Sequence, residues 1–127
     1  MAPGPFLYRL SLGVPVMTRD PGLEAQLPED LGQPDGLHSR PMFGGLCFML
    51  NGHMLCAARA GHAMFRVGKE AEAQALAFPG TSRMSHAGRE KPGFVWLSGP
   101  PLSDDDIRQG LARMALTHVS TFPPKDC

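Results

Sequence analysis

A two-residue turn, Asn51-Gly52, joins two apolar runs and constrains the fold more than any other feature of the chain. Asn-Gly accepts the positive φ values of a type I′ turn, whose twist matches that of the flanking strands. The double glycine Gly44-Gly45 opens the first run and indicates a β-bulge or a close backbone contact. The segment 40–58 therefore predicts a β-hairpin, with a structural motif formed by Met42, Phe43, Gly44, Gly45, Asn51 and Gly52.

The two-residue turn also predicts the register of this hairpin, in which Leu50 pairs with His53 and Cys47 with Cys56. The two cysteines then form a non-hydrogen-bonded pair, where opposing Cα atoms approach to ~4.5 Å, the short edge of disulfide geometry. One interpretation is a reversible redox pair or a soft-metal site at Cys47 and Cys56. The other is that both thiols are small buried hydrophobic side chains, as free cysteines usually are.

Both faces of the predicted hairpin are apolar, whereas an antiparallel sheet with one solvated face alternates polar and apolar residues. Both faces are therefore expected to need cover, from helices or from a second subunit. One face is rich in sulfur, which is typical of an adaptable contact surface and equally of a plain buried core. The sulfur-rich face is predicted to carry Cys47, Met49, Met54 and Cys56, and the opposite face Leu46, Phe48, Leu50, His53 and Leu55.

The remaining patterns predict three helices and further strands. Asp20-Pro21 opens an N-terminal helix that Pro28 would kink or end early, the alanine- and glutamate-rich residues 69–77 form a short middle helix, and Ser103 caps a C-terminal helix. Strands are expected at 62–67, 81–87 and 93–98, and a loop at 32–39. The predicted fold is α+β: an antiparallel β-sheet of about five strands flanked by an N-terminal helix, a short middle helix and a C-terminal helix.

Composition limits the classes of function. The chain of 127 residues fits one domain, and its 12 basic and 12 acidic residues give a net charge of zero, which disfavours direct DNA binding and attraction to anionic membranes. No apolar stretch approaches the ~20 residues that a membrane-spanning helix needs, and three cysteines suit a reduced compartment, so a soluble cytoplasmic protein is expected. Residues 1–17 are expected to be a disordered or non-native leader.

Catalytic signatures are missing from the sequence. The five histidines have no zinc-motif spacing, no serine lies in a nucleophile elbow, and Gly44-Gly45 is not part of a phosphate loop. The sequence therefore predicts no catalytic residue, no cofactor and no metal site. A candidate anion site remains, if Arg40, Arg66 and Arg89 converge on one pocket, with His86 nearby.

Several motifs occur in a fixed order along the chain: Arg40-Pro41-Met42-Phe43-Gly44-Gly45, Asn51-Gly52, Phe65-Arg66-Val67-Gly68, Gly88-Arg89 before Gly93-Phe94-Val95, Ser103-Asp104-Asp105-Asp106 and Pro123-Pro124-Lys125. Together they resemble the N-terminal domain of the TfoX/Sxy family, bacterial regulators of natural competence. The resemblance covers about residues 18–125 and implies an α+β domain with an antiparallel sheet flanked by helices. In the full regulators a C-terminal domain follows, and the protein is thought to assist the cyclic-AMP receptor protein. The second domain is not expected in this chain.

Two functions follow from these observations. The leading hypothesis is a noncatalytic regulatory or protein-interaction module, whose partner is another protein or a second copy of the chain in a homodimer. The alternative is a small ligand-binding domain or enzyme that uses an arginine-lined pocket, and it requires Arg40, Arg66 and Arg89 to meet.

Overall fold

The computed structural model describes residues 19–42, 44–86 and 88–124. Within those residues, six strands form one antiparallel sheet in the order β1-β2-β3-β4-β6-β5. The predicted leader at 1–17 and Phe43 of the hairpin motif lie outside the described residues. The strands are β1 (Leu37–Met42), β2 (Gly45–Leu50), β3 (His53–Arg59), β4 (His62–Arg66), β5 (Thr81–His86) and β6 (Arg89–Ser98). The helices are α1 (Pro21–Asp30), α2 (Glu72–Leu76) and α3 (Asp105–Val119), with 3₁₀ turns at Lys69–Ala71 and Pro100–Ser103.

The α+β class is confirmed, and the sheet has one strand more than expected. The extra strand is β1, part of which the sequence assigned to a loop. Its side chains are mostly exposed and polar, so it lacks the alternation that marks a half-buried strand. Because β1 is at the edge of the sheet, it also tolerates Pro41, which cannot donate a ladder hydrogen bond.

The central hairpin has the predicted turn. Asn51 and Gly52 both have positive φ angles, 52° and 88°, as a type I′ turn requires. The predicted close backbone contact is also present, because a Cβ atom at Gly45 would lie 2.4 Å from the carbonyl oxygen of Ala58. Only a residue without a side chain allows β2 to approach β3 this closely at that point.

Local signals explain where α1 and α3 begin. The Asp20 carboxylate accepts a hydrogen bond from the Leu23 amide at 3.1 Å and caps α1, as predicted. The predicted cap of α3 is wrong by one residue, because the side chain of Asp104, not Ser103, accepts from the Asp106 amide at 2.9 Å. A carboxylate in this position also interacts favourably with the helix dipole.

The helices cover one face of the sheet. Side chains of α1, α2 and α3 join the strands in a single core, whereas a second cluster consists of strand side chains alone among the described residues. The buried residues Leu23 and Leu27 of α1 are four positions apart and therefore lie on one face of the helix. The core of the helical side includes Leu23, Leu27, Leu31, Phe48, Leu55, Cys56, Phe65, Val67, Ala75, Val95, Leu97, Leu111, Ala115 and Val119.

A buried arginine joins α3 to α1, and the sequence did not predict it. The Arg108 side chain is 2% exposed, its Nε donates to Asp30 at 2.8 Å, and Nη1 donates to the Leu102 carbonyl at 3.0 Å. A further hydrogen bond joins Nη2 to Asp105. Burial alone lowers the pKa of Arg108, but the hydrogen bonds to Asp30 and Asp105 outweigh it and hold the pKa above its usual range.

Candidate functional site

A β-bulge changes the register of the central hairpin. The pairs Leu50 with His53 and Met49 with Met54 are as predicted, but Phe48 then pairs with Cys56 and leaves Leu55 as an extra residue. A bulge of this kind sets two residues of one strand against one residue of the other. The predicted register is therefore wrong beyond Met54.

The bulge places Cys47 and Cys56 on opposite sides of the sheet. Cys47 pairs with Ala57 in the strand-only cluster, whereas Cys56 lies in the core under the helices. The candidate redox pair thus loses its face-to-face geometry, and both thiols are free. Burial raises the pKa of Cys47, and it raises that of Cys56 further, with smaller effects from Cys47 and Asp30. A raised pKa disfavours the thiolate that disulfide exchange and metal binding use.

The side of the sheet away from the helices carries an apolar surface to which no described helix contributes, and we call it the open face. It corresponds to the predicted sulfur-rich face, corrected by the bulge so that Ala57 replaces Cys56. Its centre is shielded by neighbouring side chains, whereas its periphery is partly exposed. The central residues are Cys47, Met49, Ala57 and Met64, and the peripheral residues are Met42, Met54, Met84, Phe94 and Trp96.

Six of these residues were absent from the predicted face: Met42, Ala57, Met64, Met84, Phe94 and Trp96. Phe94 and Trp96 alternate along β6, and the period of two within the predicted strand 93–98 was the signal that places them on one face. The His62 ring contacts the Trp96 ring edge-on, with 5.5 Å between the ring centroids. Helices cover one face of the sheet, and no described helix contributes a side chain to the apolar cluster on the other.

The candidate anion site does not form. Arg40 lies on the edge strand β1 and Arg66 on β4, so β2 and β3 separate them by about 14 Å at the usual spacing of strands. Arg89 is the first residue of β6, next to the turn between β5 and β6, where it pairs with His86. Because the three guanidinium groups do not meet in one pocket, the arginine-lined site of the alternative hypothesis has no counterpart in this fold.

Arg66 has an unusual environment for a cation. Its guanidinium carbon lies 4.9 Å from the centroid of the Phe122 ring and 5.5 Å from that of Phe94, and Nη1 donates to the Met54 carbonyl at 3.4 Å. Burial lowers the pKa of Arg66. Among the described residues it forms no ion pair with a carboxylate. The arrangement holds a partly desolvated positive charge at the border of the open face.

A groove lies between the first 3₁₀ turn and α3. It consists of two adjoining cavities of about 480 Å³ and 280 Å³ that share Gly68, Glu70 and His118. Gly68 makes room for the histidine, since a Cβ atom there would lie 2.5 Å from His118 Nδ1. The buried polar side chains of Arg108 and Asp30 do not line this groove. No group of three or more His, Cys, Asp or Glu side chains in the described part of the chain could hold a metal ion.

The sequence model of the TfoX N-terminal domain matches residues 29–119, from the end of α1 to the end of α3. The chain belongs to the TfoX N-terminal domain family. The resemblance stated from the sequence motifs is thereby confirmed. No curated protein and no solved structure matches the chain.

The TfoX N-terminal domain match spans all six described strands and therefore the whole open face. It also contains both partners of the buried ion pair, Asp30 and Arg108. The sheet, its bulge and its junction with α3 thus belong to the family domain of this chain. Among the described residues, no helix has the length and apolar character needed to cross a membrane.

Proposed function

We propose that this TfoX N-terminal domain is a noncatalytic regulatory module that acts through protein contacts made by its open face. The observation that carries the proposal is the one-sided arrangement of the helices, which leaves methionine, phenylalanine and tryptophan side chains partly exposed on the other face. Contiguous apolar patches on a protein surface mark interaction sites. Methionine repacks readily against different partners, and aromatic residues are enriched in interfaces.

Family membership supports the regulatory part of the proposal, because the family takes its name from regulators of competence. Two features of the site support the noncatalytic part. The candidate arginines are dispersed, and burial raises the pKa of both described thiols and so disfavours reactive thiolates.

Site-specific photo-cross-linking tests whether the open face makes protein contacts. A benzoylphenylalanine residue at position 82 would lie on this face, because Ser82 is exposed and pairs with Trp96. A matched control replaces Gln109, which is exposed on α3. We expect protein adducts from position 82 in cells and far fewer from position 109. Equal yields at the two positions, or none at position 82, would contradict the proposal.

Sedimentation velocity of the full chain then separates self-association from contact with another protein. A dimer that forms with increasing concentration, together with cross-links between two copies at position 82, identifies the partner as a second copy. A monomer at all concentrations, with adducts of higher mass at position 82, identifies a different protein. Both results fit a protein-interaction module, and a monomer without adducts does not.

A further inference from the structure

The zero net charge of the chain conceals a separation of charge between its two layers. Six described arginines and lysines lie in strands, against a single described acid, Glu90. The other described acids lie on helices, in their caps or in connecting turns. The sheet is therefore strongly basic and the helical layer strongly acidic. The basic strand residues are Arg40, Arg59, Arg66, Arg83, Arg89 and Lys91.

Three of these arginines border the apolar patch of the open face. Side chains that are paired across neighbouring strands lie on the same face of a sheet, so the register assigns each of them to this side. Arg83 points to the helical side, where it forms an ion pair with Glu72 at 3.0 Å. The cross-strand neighbours on the open face are Cys47 for Arg40, His62 for Arg59 and Phe94 for Arg66.

The three arginines carry positive charge that the described residues do not neutralise. The ion pairs among those residues involve Arg19, Arg83 and Arg108, and none of them includes an arginine of the open face. Arg40 and Arg59 are exposed, and Arg66 is partly desolvated between two aromatic rings. These cations favour an anionic partner, because hydrogen bonds between charged groups are stronger than hydrogen bonds between neutral groups.

The arrangement disfavours two occupants of the open face. In a two-fold dimer the same surface meets itself, so both copies would bring the same excess of positive charge to the interface. Single-stranded nucleic acid needs open aromatic faces for its bases as well as a basic surface for its backbone. Here the Phe94 ring already contacts the Arg66 guanidinium and the Trp96 ring already contacts His62, so both aromatic rings of the open face have a partner.

We propose that the open face binds an acidic polypeptide segment of another protein. Apolar side chains of the segment would pack on the partly exposed apolar side chains of the open face, while its carboxylates pair with Arg40, Arg59 and Arg66. An acidic segment with interspersed apolar residues fits both parts of the accessible surface, the partly exposed methionine and aromatic periphery and the unpaired basic border. This inference rests on the proposed function and specifies the chemistry of its partner.

The probe is a fluorescein-labelled synthetic peptide of about 16 residues that alternates glutamate with leucine and phenylalanine. Fluorescence anisotropy with the full chain measures binding at about 50 mM and about 300 mM sodium chloride, because screening weakens exposed charge pairs. Three comparison probes are the peptide with lysine for glutamate, the peptide with serine for its apolar residues, and oligodeoxythymidine of similar length. We expect the acidic apolar peptide to bind at least about tenfold more tightly than each comparison probe, and more weakly at the higher salt concentration.

Two double variants with the same loss of charge locate the binding surface. Arg40→Gln/Arg59→Gln removes two exposed cations of the open face, and Arg89→Gln/Lys91→Gln removes two exposed cations at the hairpin end of β6. We expect the first variant to lose about tenfold in affinity for the acidic peptide and the second less than about twofold. Equal losses in the two variants would overturn the inference, because they would show an effect of net charge alone.

Other outcomes also count against an acidic segment. Tighter binding of oligodeoxythymidine would identify a nucleic-acid surface, and a dimer through the open face would identify a second copy as its occupant. If position 82 forms adducts with other proteins but the acidic peptide fails to bind, the inference fails and the proposed function stands. If the peptide binds at Arg40 and Arg59 but position 82 forms no adducts in cells, the proposed function fails while the binding chemistry is supported.

Discussion

Replacing Arg108 with methionine tests whether one buried ion pair holds α3 to α1. The side chains of Arg108 and Asp30 are 2% and 4% exposed, so both charges have left water. Removing the guanidinium leaves the Asp30 carboxylate buried without a cation and takes a donor from the Leu102 carbonyl. We expect the free energy of unfolding to fall by about 3–4 kcal/mol, since breaking a buried pair by removing one partner costs roughly 3–5 kcal/mol.

The reverse change, Asp30→Ala, should cost less. The guanidinium would keep its hydrogen bonds to Leu102 and to Asp105, and the Asp105 side chain is 68% exposed, so solvent can help to balance the charge. We expect a loss of about 2 kcal/mol. In the double variant Arg108→Met/Asp30→Ala, neither buried charge is left without its partner. The free energy of unfolding should therefore fall by about 1–2 kcal/mol, far less than the sum of the two single losses.

Urea unfolding followed by circular dichroism and by the fluorescence of Trp96 gives these free energies. A matched control is Arg83→Met, because Arg83 forms an ion pair with Glu72 at 3.0 Å but is 60% exposed. Exposed pairs contribute at most about 1 kcal/mol, so the control should lose no more than that. The total free energy of unfolding of such a domain is roughly 5–15 kcal/mol, so the expected difference between Arg108→Met and Arg83→Met is easy to measure.

The reasoning is refuted by either of two results. If Arg108→Met loses no more than Arg83→Met, then Asp30 does not need its buried cation. If the double variant loses as much as the sum of the two single variants, the side chains contribute independently and the pair has no energy of its own.

Three further changes have expected outcomes. Gly45→Ala should destabilise the protein by about 2 kcal/mol, because the new Cβ would lie 2.4 Å from the Ala58 carbonyl oxygen and the backbone would have to move. Thermal unfolding measures the loss, and an unchanged midpoint would contradict the prediction. Gly22→Ala should stabilise the protein by about 0.5–1 kcal/mol, because the nearest atom is 3.6 Å from the new Cβ and alanine favours the helix. An unchanged or lower midpoint in the same assay would contradict this prediction. Burial raises the pKa of Cys56 in the folded state, so the unfolded chain loses this proton first and the free energy of unfolding should fall above about pH 8.5, by up to about 1.4 kcal/mol per pH unit. Cys56→Ala should reduce this slope, and rapid labelling of Cys56 in the folded protein at pH 8 would contradict the prediction.

The elements that the sequence predicted correctly have strong local signals. Asn51-Gly52 specifies its turn through backbone angles that few other residues accept, and Asp20-Pro21 specifies a helix start through a cap and a fixed φ. These signals depend on residues that are adjacent in the chain. They are therefore visible without knowledge of the rest of the fold.

The bulge at Leu55 has no such signal, because a regular strand and a bulged one have the same apolar composition here. The choice between them follows from the core, where Leu55 and the next residue, Cys56, both face the helices. One extra residue reverses the face of everything after it. The predicted pairing of Cys47 with Cys56 was therefore wrong, although the turn from which it was counted was right.

Arg108 and the charge of the sheet could have been found in part. Arg108 has helical spacing with Leu111, Ala115 and Val119, so the sequence placed a cation within an apolar stripe, which is a sign of a buried ion pair. Its partner Asp30 lies far away in the chain and is not predictable from spacing. Similarly, counting charges by predicted element would have shown basic strands and acidic helices, which the total net charge of zero cannot show.

The separation of charge between sheet and helices makes this neutral protein a large electric dipole. Near pH 7 such a molecule should be retained by cation exchangers through the sheet and by anion exchangers through the helical layer, although its net charge predicts retention by neither. At low ionic strength the basic side of one copy attracts the acidic side of the next, and each copy in such a head-to-tail contact can still attract another. Added salt should therefore increase solubility, with the largest effect below about 0.1 M, where the Debye length exceeds about 10 Å.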